Sequence, residues 1–125
     1  MTESPRTRIG SYRDLDVWQF AMDIVIEIYR VTRAFPAEEK FGLIAQLRRA
    51  AVAIPSNIAE GRSRVGAAEF RRFVSIARGF VAEVETQLAV AVALGFVGAG
   101  EIESLSSRLD ELSKTLFGLY RSLAT

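Results

Sequence analysis

Seven arginines lie between Arg48 and Arg78, and only Glu60 and Glu69 oppose them. The set is Arg48, Arg49, Arg62, Arg64, Arg71, Arg72 and Arg78. A guanidinium is planar, permanently charged and carries a fork of donors that fits phosphate oxygens, so such a segment is a candidate for nucleic-acid backbone. The flanks are biased the other way, with six basic against seven acidic groups before the segment and three against six after it. If the outward faces carrying these arginines meet in space they form one patch. If they do not, they serve as surface salt bridges or complement the negative ends of helices.

Other chemistry is constrained by what is missing. The chain has no histidine and no cysteine, which removes Ser-His and Cys-His nucleophilic systems and the Glu-x-x-His ligands of di-iron bundles. A carboxylate-only Mg²⁺ site would have to draw on Glu60, Glu69, Glu83 and Glu85. Glu83 and Glu85 point about 160° apart on a helix and suit a solvated surface better than one shared ion. Gly98-Ala99-Gly100 lacks the Lys-Ser/Thr continuation and preceding strand of a phosphate loop. The expectation is a non-enzyme with no metal, cofactor or small-molecule substrate.

The elements that must position the arginines are helices. In the first, Leu15, Trp18, Met22, Val25 and Tyr29 step by three and four and predict a core stripe. A second set, Val17, Phe20, Ala21, Ile24 and Ile28, widens that face beyond what one bundle core needs. Val17, Phe20, Ile24 and Ile28 are therefore the expected oligomer interface. Ser11 is a candidate cap, and Phe35-Pro36 ends the run. The second helix is expected from Glu38-Glu39, with Ile44, Leu47, Ala51, Ile54 and Ile58 inward, a kink at Pro55 and a stop at Gly61. The third runs from about Gly66 to Leu94, with Phe70, Phe73, Ala77, Val81, Val84, Leu88 and Ala91 inward. Gly95 closes it, and Gly79 predicts a close backbone approach. The fourth carries Ile102, Leu105, Leu109, Leu112, Leu116, Leu119 and Leu123 at strict three-four spacing.

Short connections make neighbours antiparallel, so the fold class is all-α: a single-domain, up-down-up-down four-helix bundle over 11–125 with a flexible tail over 1–10. At 125 residues and 50% hydrophobic content the chain can bury roughly two thirds of its unfolded surface in one core. The absence of cysteine, of a secretory-type apolar leader and of any apolar run long enough for a membrane helix makes the cytoplasm the expected compartment. Phe70, Phe73 and Phe117 fall on or beside core stripes, so no aromatic surface for stacking bases is expected.

Across these elements the order Leu15…Trp18-Gln19…Ala21, Phe35-Pro36…Glu39…Gly42-Leu43, and Gln46-Leu47-Arg48-Arg49-Ala50…Ile54-Pro55-Ser56-Asn57-Ile58-Ala59-Glu60-Gly61 resembles the four-helix-bundle proteins encoded in intervening sequences of bacterial 23S ribosomal RNA genes. Glu69-Phe70…Phe73…Ala77-Arg78-Gly79…Glu83…Glu85…Gln87-Leu88 is similar to that family's third helix, while Ala53 and Phe80 depart from its usual serines. The resemblance implies a ring-shaped homo-oligomer, a pentamer, and a relationship to the accessory bundle proteins of diversity-generating retroelements, which bind nucleic acid and a reverse transcriptase. It implies no known reaction.

Within that signature Pro55, Asn57, Glu60 and Gly61 read first as architecture, with part of a ligand pocket as the alternative. Asn57 or Ser56 is a candidate donor to the carbonyl that Pro55 leaves free, and Glu60 a candidate partner of Arg48, Arg49 or Arg64. Two functional readings follow. One is a homo-oligomer that binds structured RNA or an RNA–protein complex through the arginines. The other is a protein-binding scaffold that makes no contact with nucleic acid.

Overall fold

Leucine-type residues at every third or fourth position give α4 (Glu103–Ser122) a narrow apolar seam. Leu105, Leu109, Leu112 and Leu116 are all buried, with Ile102 just before them. Each contributes about 2 kcal/mol by leaving water. In the computed structural model, which describes residues 11–124, that seam closes a bundle with α1 (Asp16–Thr32), α2 (Leu43–Ser63) and α3 (Ala67–Ala93). Each helix packs on its chain neighbours, and α4 returns to α1. The four-helix all-α class is therefore correct; the tail assigned to 1–10 lies outside the described residues.

The first helix is turned relative to the sequence reading. Val17, Ala21, Ile24 and Ile28 are the buried stripe, while Trp18, Met22, Val25 and Tyr29 line the outer surface along α2. The expected oligomer face is thus corrected: Val17, Ile24 and Ile28 are core residues, and Phe20 is half-buried against the same core. The small and β-branched side chains of α1 share one core with Ala50 and Ala51 of α2, whereas Trp18 and Tyr29 carry polar groups that favour an edge.

Other expectations shift by local chemistry. Ser11 caps a 3₁₀ turn at Tyr12–Asp14 by accepting from the Arg13 N–H, and α1 begins later. Glu38-Glu39 lies in another 3₁₀ turn; the Glu39 carboxylate then accepts from the Leu43 N–H at 3.0 Å, so α2 starts there. The helix runs unbroken through buried Pro55 to Ser63. Asn57 Nδ2 donates to the Ala53 carbonyl at 2.8 Å, and not to the carbonyl of Ala51 that proline leaves without its usual donor.

Gly61 is no stop signal. It is buried inside α2, and a Cβ there would lie 2.4 Å from the Cβ of Phe73, so its missing side chain lets α2 and α3 meet. Gly79 does the reverse of what was expected, since a Cβ there would meet nothing within 4 Å. Gly66 (φ 94°) makes the α2–α3 turn. Gly95 (φ 78°) ends α3, with the Phe96 N–H donating to the Ala91 carbonyl and the Gly95 N–H to that of Val92.

Candidate nucleic-acid interface

Two stripes face each other across the α3–α4 seam outside the core. On α3 the stripe is Arg71, Ser75, Arg78 and Ala82; on α4 it is Ser113, Phe117 and Tyr120, again spaced three and four apart. Arg71 Nε donates to the Tyr120 carbonyl at 3.3 Å, and its guanidinium carbon lies 3.8 Å from the centroid of the Tyr120 ring. Arg78 Nε donates to the carbonyl and Oγ of Ser113 at 3.1 and 3.2 Å, and its guanidinium sits 4.8 Å from the Phe117 centroid. In both cases Nε is engaged, while the Nη groups have no hydrogen-bond partner among the described residues. Each fork is held at its base with its outer donors available.

These residues line a shallow, open groove. Its central part, about 730 Å³, is lined by Arg71, Arg72, Ser75, Tyr120 and Leu123 among others. Toward the α2–α3 turn it continues past Arg62, Arg64 and Phe70, and toward the middle of the bundle past Arg78, Gly79 and Ser113. Arg62 lies over Phe70, and Arg64 and Arg72 over Phe73. The opposing acids are few and weakly engaged. Glu60 pairs with Arg64 at 2.7 Å and Glu69 with Arg72 at 3.4 Å, in exposed pairs each worth less than about 1 kcal/mol. Farther along the seam the charge reverses: burial and the charge of Asp110 raise the pKa of Glu85, and Arg78 opposes the shift. The basic stretch therefore ends just beyond Arg78.

Arg48 and Arg49 do not join this surface. Arg48 Nε donates to Thr32 Oγ1 at 2.9 Å and Nη2 to the Tyr29 carbonyl at 3.3 Å, over the Tyr29 ring. Thr32 is itself buried and donates to the Ile28 carbonyl. Arg48 thus ties α2 to the last turn of α1, where carbonyls lack helical partners. Arg49 is exposed beside it, in a separate hollow with Tyr29, Lys40 and Phe41. Between Arg48 and Arg62 lie 14 helical steps, about 21 Å, so the single patch expected from Arg48 to Arg78 is in fact two clusters.

The sequence reading missed Arg121, Tyr120 and Phe117. Phe117 is 42% exposed and outside the core, contrary to its expected place beside a core stripe; its ring is near-parallel to that of Tyr120, 6.4 Å away, with the Arg121 guanidinium at 5.9 Å. The signal was a second stripe on α4, aromatic where the leucine seam is aliphatic. Glu60, Glu69, Glu83 and Glu85 are not brought together, and no three potential metal ligands cluster among the described residues. Within those residues no helix is long and apolar enough to cross a membrane.

Comparison with curated proteins finds none that matches. The family model described as 23S rRNA-intervening sequence protein matches residues 13–118, from the turn before α1 into α4; it covers the α3 stripe with Ser113 and Phe117 of the α4 stripe, while Tyr120 and Arg121 lie beyond it. The chain belongs to the 23S rRNA-intervening sequence protein family.

Proposed function

We propose that this protein is a homo-oligomeric, non-enzymatic bundle that binds structured RNA through the α3–α4 groove. The observation that carries the reading is the pair Arg71 and Arg78, each anchored by Nε on α4 and each with its Nη donors uncommitted among the described residues. An arginine whose orientation is already fixed loses little conformational freedom when it takes a phosphate. Arg62, Arg64, Arg72 and Arg121 add charge around the same groove. The family's printed name, which links it to 23S rRNA, agrees with an RNA ligand.

Self-association is the second part of the proposal, with a ring, a pentamer as the family resemblance implies. It is supported by the α1–α2 outer surface, where Trp18, Met22, Val25, Val52 and Pro55 line an apolar hollow and Phe41 is 88% exposed next to it. A ring repeats one such contact and multiplies the basic groove, so modest affinity per subunit becomes useful avidity.

Binding of the purified protein to a labelled RNA hairpin across a salt series tests the RNA reading. Neutralising Z phosphates makes log affinity fall against log salt with a slope of about 0.7–0.9 times Z. A steep slope is expected. A flat one, or no binding at all, contradicts the proposal and turns attention to the protein-scaffold alternative, whose apolar contacts respond little to salt. Sedimentation of the wild type beside Val52→Asp tests the ring, since a charge in the hollow is expected to yield smaller species.

A further inference from the structure

A groove built only for phosphates has no use for an exposed aromatic ring, yet this one carries Phe117, 42% exposed, beside half-buried Tyr120 and in series with its cations. Along the α4 stripe the order is Arg71 over Tyr120, Tyr120 beside Phe117, and Phe117 beneath Arg78, with the Arg121 guanidinium 5.9 Å from the Phe117 centroid. Phe117 and Tyr120 are inclined by only 16°. Their ring centroids lie 6.4 Å apart. Guanidinium planes and aromatic faces both stack on nucleobases, and they do so with little regard to sequence. A base held in a duplex cannot reach such faces, because its own faces are occupied by its neighbours.

We infer that the Arg71–Tyr120–Phe117–Arg78 ladder binds unpaired nucleotides, so that the part of a structured RNA seated in the groove is a loop or bulge. The Nη donors of Arg71 and Arg78 take the phosphates while Phe117 and the outer guanidinium faces take the bases. The inference rests on the RNA-binding reading above and narrows its ligand from structured RNA in general to single-stranded segments within it. Acidic Glu85 and Asp110 beyond Arg78 set the length, confining the strand to the stretch between Arg62 and Arg78.

The test uses the full chain with three 5′-phosphorylated probes of equal phosphate number: a single-stranded RNA 12-mer, an abasic ribose-phosphate 12-mer, and a GC-rich duplex of two complementary 6-mers. The expected result is that the base-bearing single strand binds about tenfold or more tighter than the abasic strand, and tighter than the duplex, at the same salt. Phe117→Leu keeps apolar bulk without a π face and is expected to reduce the preference to within about threefold while the salt slope stays unchanged. Arg71→Lys with Arg78→Lys keeps the charge but loses the planar fork, and is expected to cut the preference likewise. Equal binding of base-bearing and abasic strands by the wild type overturns the stacking inference and leaves phosphate binding intact. Tighter binding of the duplex also overturns it. Failure of all three probes to bind overturns the RNA reading itself.

Discussion

Arg48 and Arg71 both lie over a tyrosine and both donate to the carbonyl of a helix's last turn, yet they differ in what remains free. Arg48 uses Nε and Nη2, on Thr32 and Tyr29. Arg71 uses Nε alone, on Tyr120. The first fastens α1 to α2 beside an apolar hollow; the second stands in a basic groove with its outer donors unengaged. Equal charge in sequence therefore separates into a structural arginine and one available to ligand, and the deciding quantity is how many of its donors the fold already uses.

The largest effect expected from that difference is on RNA affinity. Arg71→Ala with Arg72→Ala and Arg78→Ala is expected to lower the log–log salt slope by about 2–3 and weaken binding roughly hundredfold at low salt, in fluorescence anisotropy. Thermal unfolding of the same variant should change little, because the contacts of Arg72 and Arg78 are exposed and Arg71 adds one part-buried hydrogen bond.

The opposite pattern belongs to Arg48→Ala. It leaves the buried Thr32 hydroxyl without the guanidinium bonded to it and is expected to cost about 1–3 kcal/mol in denaturant unfolding, with RNA affinity nearly unchanged. A hundredfold loss of affinity without loss of stability would erase the distinction between the two arginines.

The two helical glycines extend the comparison to the backbone. Gly61→Ala places a methyl 2.4 Å from the Phe73 Cβ and is expected to destabilise by about 1–3 kcal/mol despite alanine's better helix propensity. Gly79→Ala, with nothing within 4 Å, is expected to stabilise by about 0.5–1 kcal/mol, and chemical denaturation of the pair reads the opposite signs.

The smallest effect concerns Glu85. Its folded-state pKa is raised by burial and then by Asp110. The folded chain thus holds that proton more tightly than the unfolded chain. The stabilisation is complete below the ordinary carboxylate pKa and is lost as pH rises through the folded value. Glu85→Gln is therefore expected to raise Tm modestly at neutral pH, with the gain vanishing on acidification.

Much of the fold could be read from the spacing of residues because α2, α3 and α4 each carry one dominant apolar stripe, and nearly every residue of those stripes is buried. In α1 two stripes compete. Periodicity reports that both are apolar but not which one meets the neighbours, and the set assigned to the surface proved to be the core. The glycines were ambiguous for a related reason: Gly61 and Gly79 look alike in sequence, and only the approach of Phe73 separates them. The arginines of the groove were visible as a charge bias. Their division into two clusters follows from helix length and from partners on α1 and α4 that lie far away in sequence. Phe117 was misplaced because its neighbours Leu116 and Leu119 belong to the seam, while its own angle takes it to the α3 side.

The most direct test of the account compares salt slopes for RNA binding by Arg71→Ala with Arg78→Ala and by Arg33→Ala with Arg49→Ala, the latter pair being exposed cations near the other cluster. Equal charge is removed in each. The expected slope is reduced by about 1.4–1.8 for the first pair and is nearly that of the wild type for the second. Equal losses in both pairs, or a loss confined to the second, would contradict the assignment of RNA to the α3–α4 groove.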